Sequence, residues 1–226
     1  MKPPATRPPT GLPLVGRVVR LDPVTLDDTP GLYAVWSDPE VYRHGFLMSD
    51  RLTDEAQARA AVQVQQAARP GRTAYTVRLV GDSGLGAAGT VVGTSSLGDV
   101  EVATEQVHLG WTTYGSRWWG TAVNPETKLL LLGHAFDDCG FGRVRIQTDV
   151  LNDRSQAAIV RLGAVREGVL RRMVRRADGS WRDTVVFSIL ADEWPRVRSG
   201  LLARLGRPAP PERPAPPEGP EGRARG

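Results

Sequence analysis

Two local patterns in the sequence could do chemistry. The first is Arg117-Trp118-Trp119-Gly120-Thr121-Ala122. A segment rich in Val, Trp and Thr leads into it, and a helical segment with Pro125 near its start leads out. A strand-to-helix turn of this kind offers successive backbone N–H groups, and the positive end of a helix dipole, to an anion. Gly120 lets the backbone approach closely, and Ala122 leaves the helix start uncrowded. On spacing alone, the same residues also suit an ordinary turn that holds a glycine. The second pattern is Asn152-Asp153-Arg154-Ser155, at another strand-to-helix junction. Asn, Asp and Ser all cap helices. The alternative use is an Asn amide and a Ser hydroxyl presented as polar contacts at the end of a sheet.

Other groups offer less. Gly84-Leu85-Gly86-Ala87-Ala88-Gly89 fits the dinucleotide pattern G-x-G-x-x-G letter for letter. That pattern needs a helix directly after it, aimed at the pyrophosphate. Here strand-like Thr90-Val91-Val92-Gly93-Thr94 follows, so the glycines read as a hairpin loop. His44 falls in a loop with Tyr42 and Phe46. His108 lies on the strand ahead of the Gly120 turn, flanked by Glu101 and Glu105. His134 is expected on the polar, solvated side of a helix. None of the histidines has metal-ligand spacing, and no metal is expected. There is no G-x-S-x-G elbow and no P-loop. Cys139, the single cysteine, excludes an intramolecular disulfide and falls on the apolar face of its helix, where a thiol is inert.

The elements that position these residues alternate along the chain. Of the 226 residues, 40% are hydrophobic and 24% charged, the balance of a soluble globular protein. No stretch approaches the roughly 18 to 20 apolar residues of a membrane span, and no apolar signal core opens the chain; a cytoplasmic location is expected. The formal charge of +4 raises nucleic acid as a partner. The basic residues are scattered among acids, however, and all but Lys2 and Lys128 are arginine, so no phosphate-binding stripe forms. Residues 1–13, with five prolines, read as a flexible leader, and 206–226, nearly all Pro, Gly, Glu and Arg, as a disordered tail. One domain over 14–205 remains. Strands are expected at 18–21, 73–80, 89–97, 106–114, 143–150, 165–174 and 181–190. Helices are expected at 25–37, 53–70, 125–139, 155–162 and 192–205. Hairpins followed by strand–helix alternation predict an α/β (α+β) fold: a mixed central sheet of about seven strands with helices on both faces.

Taken in order, three blocks resemble the GNAT acyltransferase superfamily, in particular its RimJ/RimL-like N-acetyltransferases. They are His108-Leu109-Gly110-Trp111-Thr112, the turn from Arg117 to Ala122, and Asn152 to Ser155 followed by Ala158-Ile159-Val160-Arg161-Leu162-Gly163-Ala164. The turn Asp178-Gly179-Ser180-Trp181-Arg182-Asp183 adds to the likeness. The resemblance spans about residues 14–195 and implies a GNAT-like, mostly antiparallel sheet. It also implies acetyl-CoA as co-substrate and an amine acceptor, either a protein N-terminus or a small molecule. The backbone of Arg117 to Ala122 would hold the pyrophosphate, and that of Thr112, Thr113 and Tyr114 the pantetheine arm. Asn152 would bond the acyl end. Ser155 would protonate the leaving thiolate, because Leu162 lies next to the place where many relatives carry a tyrosine on this helix. His108, where relatives often carry Glu, is the candidate base. Tyr42, His44, Phe46 and Trp111 would line the acceptor pocket, and a homodimer is common among relatives. Direct attack in a ternary complex is expected, since no nucleophile for a covalent route is evident. A non-catalytic acyl-CoA sensor and a basic nucleic-acid-binding protein are the competing readings. Thioester turnover separates the first from the enzyme, and steep salt dependence of nucleic-acid binding would mark the second.

Overall fold

The computed structural model describes residues 5–43, 50–67, 71–81, 84–176 and 178–208. Its elements run β1 (Leu14–Val15), β2 (Val19–Pro23), α1 (Thr29–Trp36), α2 (Pro39–Tyr42), α3 (Glu55–Gln66), β3 (Thr73–Leu79), β4 (Val91–Glu101), β5 (Gln106–Tyr114), α4 (Val123–Gly133), β6 (Arg143–Asp149), α5 (Asp153–Leu162), β7 (Val165–Arg175), β8 (Trp181–Leu190) and α6 (Trp194–Arg204). The strands form one eight-stranded sheet in the order β1-β2-β3-β4-β5-β6-β8-β7. Two-residue β1 is the strand that periodicity could not show, being too short for any alternation.

Only β5 and β6 run parallel, paired at Gln106 with Arg143, Val107 with Val144 and His108 with Arg145. Every other neighbouring pair is antiparallel. Beyond His108 the two strands part, and the sheet opens as a wedge between Leu109–Tyr114 and the end of β6. A bulge sharpens the opening. On β5, Trp111 and Thr112 face the single residue Ser95 of β4, and Trp111 takes a left-handed φ of 49°. A bulge of this kind bends and twists its strand.

Alternation along the strands separates two cores. On one face Val107, Leu109, Val144, Ile146, Val185 and Phe187 pack with Leu131 and Leu132 of α4, Ile159 of α5 and Val197 of α6. On the other, Ala74 and Val91 meet Leu32 and Val35 of α1 and Ala58 and Val62 of α3. Each large side chain so buried contributes about 1.5–3 kcal/mol. Helix α1 is fixed by Asp28, whose buried carboxylate accepts from the Thr25 N–H at 2.7 Å and the Thr76 hydroxyl at 2.7 Å and pairs with Arg78.

The helix read as 125–139 begins at Val123 and stays α-helical to Gly133. Its last turn, His134–Asp138, is a π-turn. The wider turn rotates His134 inward. It is 4% exposed, not solvated, with Nδ1 2.8 Å from Asp138 and Nε2 3.6 Å from the Cys139 thiol. Cys139 is buried as read, and burial pushes its thiol up to about 11.

Glu126, in the first turn of α4, is fully buried. Its carboxylate accepts from the backbone N–H groups of Arg17, Val18 and Val19, at 3.0 Å from Arg17 and 2.7 Å from Val19, and pairs with Arg207. One side chain thus gathers the β1–β2 hairpin, α4 and the chain after α6. Near the other end of the sheet, the Thr6 hydroxyl donates to the Gly140 carbonyl at 2.9 Å, and the Arg7 N–H donates to that of Cys139 at 3.0 Å.

Candidate active site

The Gly120 turn stands at the mouth of the wedge. Residues Ser116–Trp118 form one 3-10 turn after β5. Trp118, Trp119 and Thr121 donate their N–H groups to the carbonyls of Gly115, Ser116 and Trp118. Val123 donates to the Thr121 hydroxyl at 3.3 Å, and Ser116 to the Asp38 carboxylate at 2.8 Å. The N–H groups of Gly120, Ala122 and Asn124 have no acceptor among the described residues. These three, at the start of α4, can bind an anion. Gly120 has φ 75°, and a Cβ there would meet nothing within 4 Å. The missing side chain leaves open space where a ligand would lie.

Aromatic residues brace the turn. Trp119 Nε1 donates to the Tyr114 carbonyl at 3.0 Å, and Trp118 Nε1 to that of Leu85 at 3.3 Å. Leu85 belongs to the glycine loop between β3 and β4, so that loop supports the turn; strand and not helix follows it, as its sequence implied. Arg154 of α5 reaches across and lies over the Trp119 ring.

Asn152 caps α5, its Oδ1 accepting the Ser155 N–H at 3.0 Å. The capping role and a ligand role are compatible, because the cap occupies the oxygen and leaves the amide N–H₂. Asn152 and Ser155 sit together at the β6 side of the wedge, opposite Thr112, Thr113 and Tyr114.

His108 lies where β5 and β6 part. It is 4% exposed. Its Nδ1 is 3.2 Å from Asp99, whose carboxylate also accepts from Arg145 at 2.8 Å. Its Nε2 has no hydrogen-bond partner. A side chain at Gly110 would meet that nitrogen at 2.6 Å, so Nε2 is directed along β5 toward the bulge. Burial pushes the imidazole down to about 4, with Arg145 adding to the effect and Asp99 opposing it. The ring is therefore neutral near pH 7, with a proton on Nδ1 facing Asp99 and a lone pair on Nε2. Trp111 packs against it, ring centroids 4.7 Å apart. Tyr42 ends α2 on the α1 side; His44 and Phe46 lie outside the described residues.

Three groups in this region escaped the sequence reading. Asp99 has a left-handed φ of 48° at a β4 irregularity, which a strand pattern does not reveal. Asp38 joins the α2 start to the Gly120 turn through a bond between residues 78 apart in sequence. Lys128 is buried on α4, its Nζ 2.9 Å from the Thr112 hydroxyl, which also bonds Ser95 at 2.7 Å. Burial pushes Lys128 down to about 7. One signal was available for it: apart from Lys2 it is the only lysine in an arginine-rich sequence.

The sheet splits between two parallel strands, with a helix start that can take an anion at its mouth. The comparisons make the class specific. A model of the acetyltransferase (GNAT) domain matches residues 19–165. A structure from T. thermophilus described as a candidate acetyltransferase is 39% identical, with TM-score 0.74, over 85% of this chain and 96% of that one. A GCN5-related N-acetyltransferase from Brucella melitensis is 23% identical with TM-score 0.80, over 90% of each chain. Mycobacterium smegmatis RimJ in complex with CoA-disulfide is 20% identical with TM-score 0.68, over 86% of this chain and 93% of that one. No curated protein matches. The chain belongs to the GNAT acetyltransferase family and is an N-acetyltransferase.

Proposed function

We propose that this enzyme transfers the acetyl group of acetyl-CoA to a primary amine by direct attack in a ternary complex, as a RimJ/RimL-like member of its family. The observation that carries the reading is the wedge beside β5, with the free N–H groups of Gly120, Ala122 and Asn124 at its mouth. These groups would hold the pyrophosphate. The backbone edge at Thr112 to Tyr114, beyond the last pairing with β6, would pair with the pantetheine arm, and the Asn152 amide N–H₂ would bond its acyl end.

The amine must attack as the free base and lose a proton as it does so. Nε2 of His108 accepts that proton, Asp99 holding the ring in the required tautomer. Burial makes His108 a weak base, so it acts on the acidified nitrogen of the tetrahedral adduct. The Ser155 hydroxyl, at the first turn of α5, donates to the departing thiolate. Tyr42 and Trp111 flank the route of the acceptor.

A thiol-release assay with acetyl-CoA and a panel of amines, paired with thermal shift by CoA, tests the reading. CoA should raise the melting temperature and an amine should trigger thiol release. Both effects should vanish in Gly120→Glu, which sets a carboxylate in the anion's place. Stabilisation by CoA that survives Gly120→Glu refutes the site.

A further inference from the structure

Four charged side chains other than histidine are buried among the described residues: Asp28, Glu126, Lys128 and Asp149. Three of them have a counter-charge. Asp28 pairs with Arg78, Glu126 with Arg207 and Asp149 with Arg176. Lys128 has none among the described residues. Its ammonium offers three donors, and it makes one bond, at 2.9 Å to the Thr112 hydroxyl. A buried charge without an opposite one is costly, and burial here pushes the amine down to about 7.

This cation sits under the mouth of the wedge. Thr112 lies on β5 beyond His108, the last residue paired with β6, so it borders the opening. Lys128 follows Asn124 by four residues on the same face of α4, about 6 Å further along the helix axis at about 1.5 Å per residue. The Asn124 N–H is one of the three free donors that can take an anion. A long helical side chain leans toward the N-terminal end of its helix, so that of Lys128 leans toward the anion's seat. Its charge also reaches His108, where it adds to burial and Arg145 in pushing the imidazole down. Arg117 and Arg154, two other cations at the mouth, are exposed, and salt screens them. Asp38 brings a carboxylate to the start of the Gly120 turn, which raises the need for positive charge there.

We propose that Lys128 is the buried counter-charge for the pyrophosphate of acyl-CoA. From one helix turn below, it tightens the hold on the anion, and the anion supplies the opposite charge that no side chain provides. The inference rests on the reading of the Gly120 turn as the pyrophosphate seat. The attraction acts through space and is strengthened by burial. Thr112, itself bonded to Ser95 at 2.7 Å, fixes the tip of the lysine. What Lys128 costs the protein in desolvation is recovered when the co-substrate binds.

The test is calorimetric binding of three probes to the full chain: CoA, 3′-dephospho-CoA, and pantetheine, which lacks every phosphate. Three variants are compared. Lys128→Met removes the charge and the hydrogen bond, Lys128→Gln keeps a donor without the charge, and Lys128→Arg keeps the charge. Met and Gln should each weaken CoA and 3′-dephospho-CoA by about 10-fold and pantetheine by less than about twofold. Arg should retain most of the affinity. The loss should persist at high salt, because a buried charge is little screened. Melting curves without ligand identify the folded variants, and Gln decides the matter if Met does not fold. Unchanged CoA affinity in the neutral variants overturns the proposal, whatever happens to kcat. So does an equal loss for CoA and pantetheine, which marks a packing role, or full affinity in Gln, which marks the bond to Thr112. A loss confined to CoA and absent with 3′-dephospho-CoA overturns it too, since the 3′-phosphate is then the partner. Failure of the unaltered enzyme to bind CoA is a separate result and overturns the pyrophosphate seat itself.

Discussion

The guanidinium of Arg154 lies over the indole of Trp119, Cζ 3.5 Å from the ring centroid. The contact joins the first turn of α5 to the turn that opens α4, across the mouth of the wedge. Cation–π pairs contribute about 0.5–2 kcal/mol. Arg154→Ala should therefore raise KM for acetyl-CoA by roughly 3- to 10-fold and leave kcat within about twofold. Initial-rate kinetics over both substrates would show it. A fall in kcat at unchanged KM would place Arg154 elsewhere in the cycle.

His108 and Asp99 carry a prediction about both rate and stability. His108→Gln should lower kcat by about 10²- to 10³-fold if Nε2 accepts the proton. The imidazole titrates at about 4 when folded, and near 6.5 when unfolded. At pH 7 both states are neutral, and the group contributes nothing. Below about 6.5 the unfolded chain takes up the proton first, so stability falls with pH until about 4. The loss amounts to at most about 3 kcal/mol. Urea midpoints at pH 7 and 5 should converge in His108→Gln; an unchanged acid sensitivity in that variant would remove His108 as its cause.

Lys128 should behave in the opposite way to a stabilising cation. Its amine is buried and titrates at about 7 in the folded protein, well below the unfolded value near 10.4. Between those limits the unfolded chain holds more protons, so this residue makes stability rise with pH. Lys128→Met, which keeps the volume and removes the charge, should stabilise the protein at pH 7 by about 1–3 kcal/mol. The gain should shrink toward pH 10. Thermal melts across that range decide it, and destabilisation at pH 7 would show that the bond to Thr112 outweighs desolvation.

Cys139→Ala should retain turnover within about twofold, because the thiol is buried and poorly ionised. Loss of activity in a folded variant would reopen a covalent route.

How far the sequence could be read follows from how local each feature is. The Gly120 turn, the Asn152 cap and the end of α5 are set by residues within a few positions of one another, and their chemistry is visible as spacing. The two faces of the sheet follow from alternation. Asp99 meets His108 and Arg145 only because β4, β5 and β6 pair in one register with a bulge, and no short window contains that register. His134 was placed outward because a 3.6-residue period was continued through a turn that is wider. Asp38 and Arg207 act on positions 78 and 81 residues away, so only the tertiary structure shows their partners.

The Glu126 cradle has a kinetic consequence. Its carboxylate closes contacts that span 107 to 109 residues toward the N-terminus and 81 toward the C-terminus. Joining ends so far apart costs loop entropy before any bond repays it. The cradle should therefore close after the folding barrier has been crossed, like a latch that engages once the sheet is built. Removing it with Glu126→Gln should leave the refolding rate nearly unchanged and speed unfolding. What Glu126 then governs is how long the folded enzyme survives between openings.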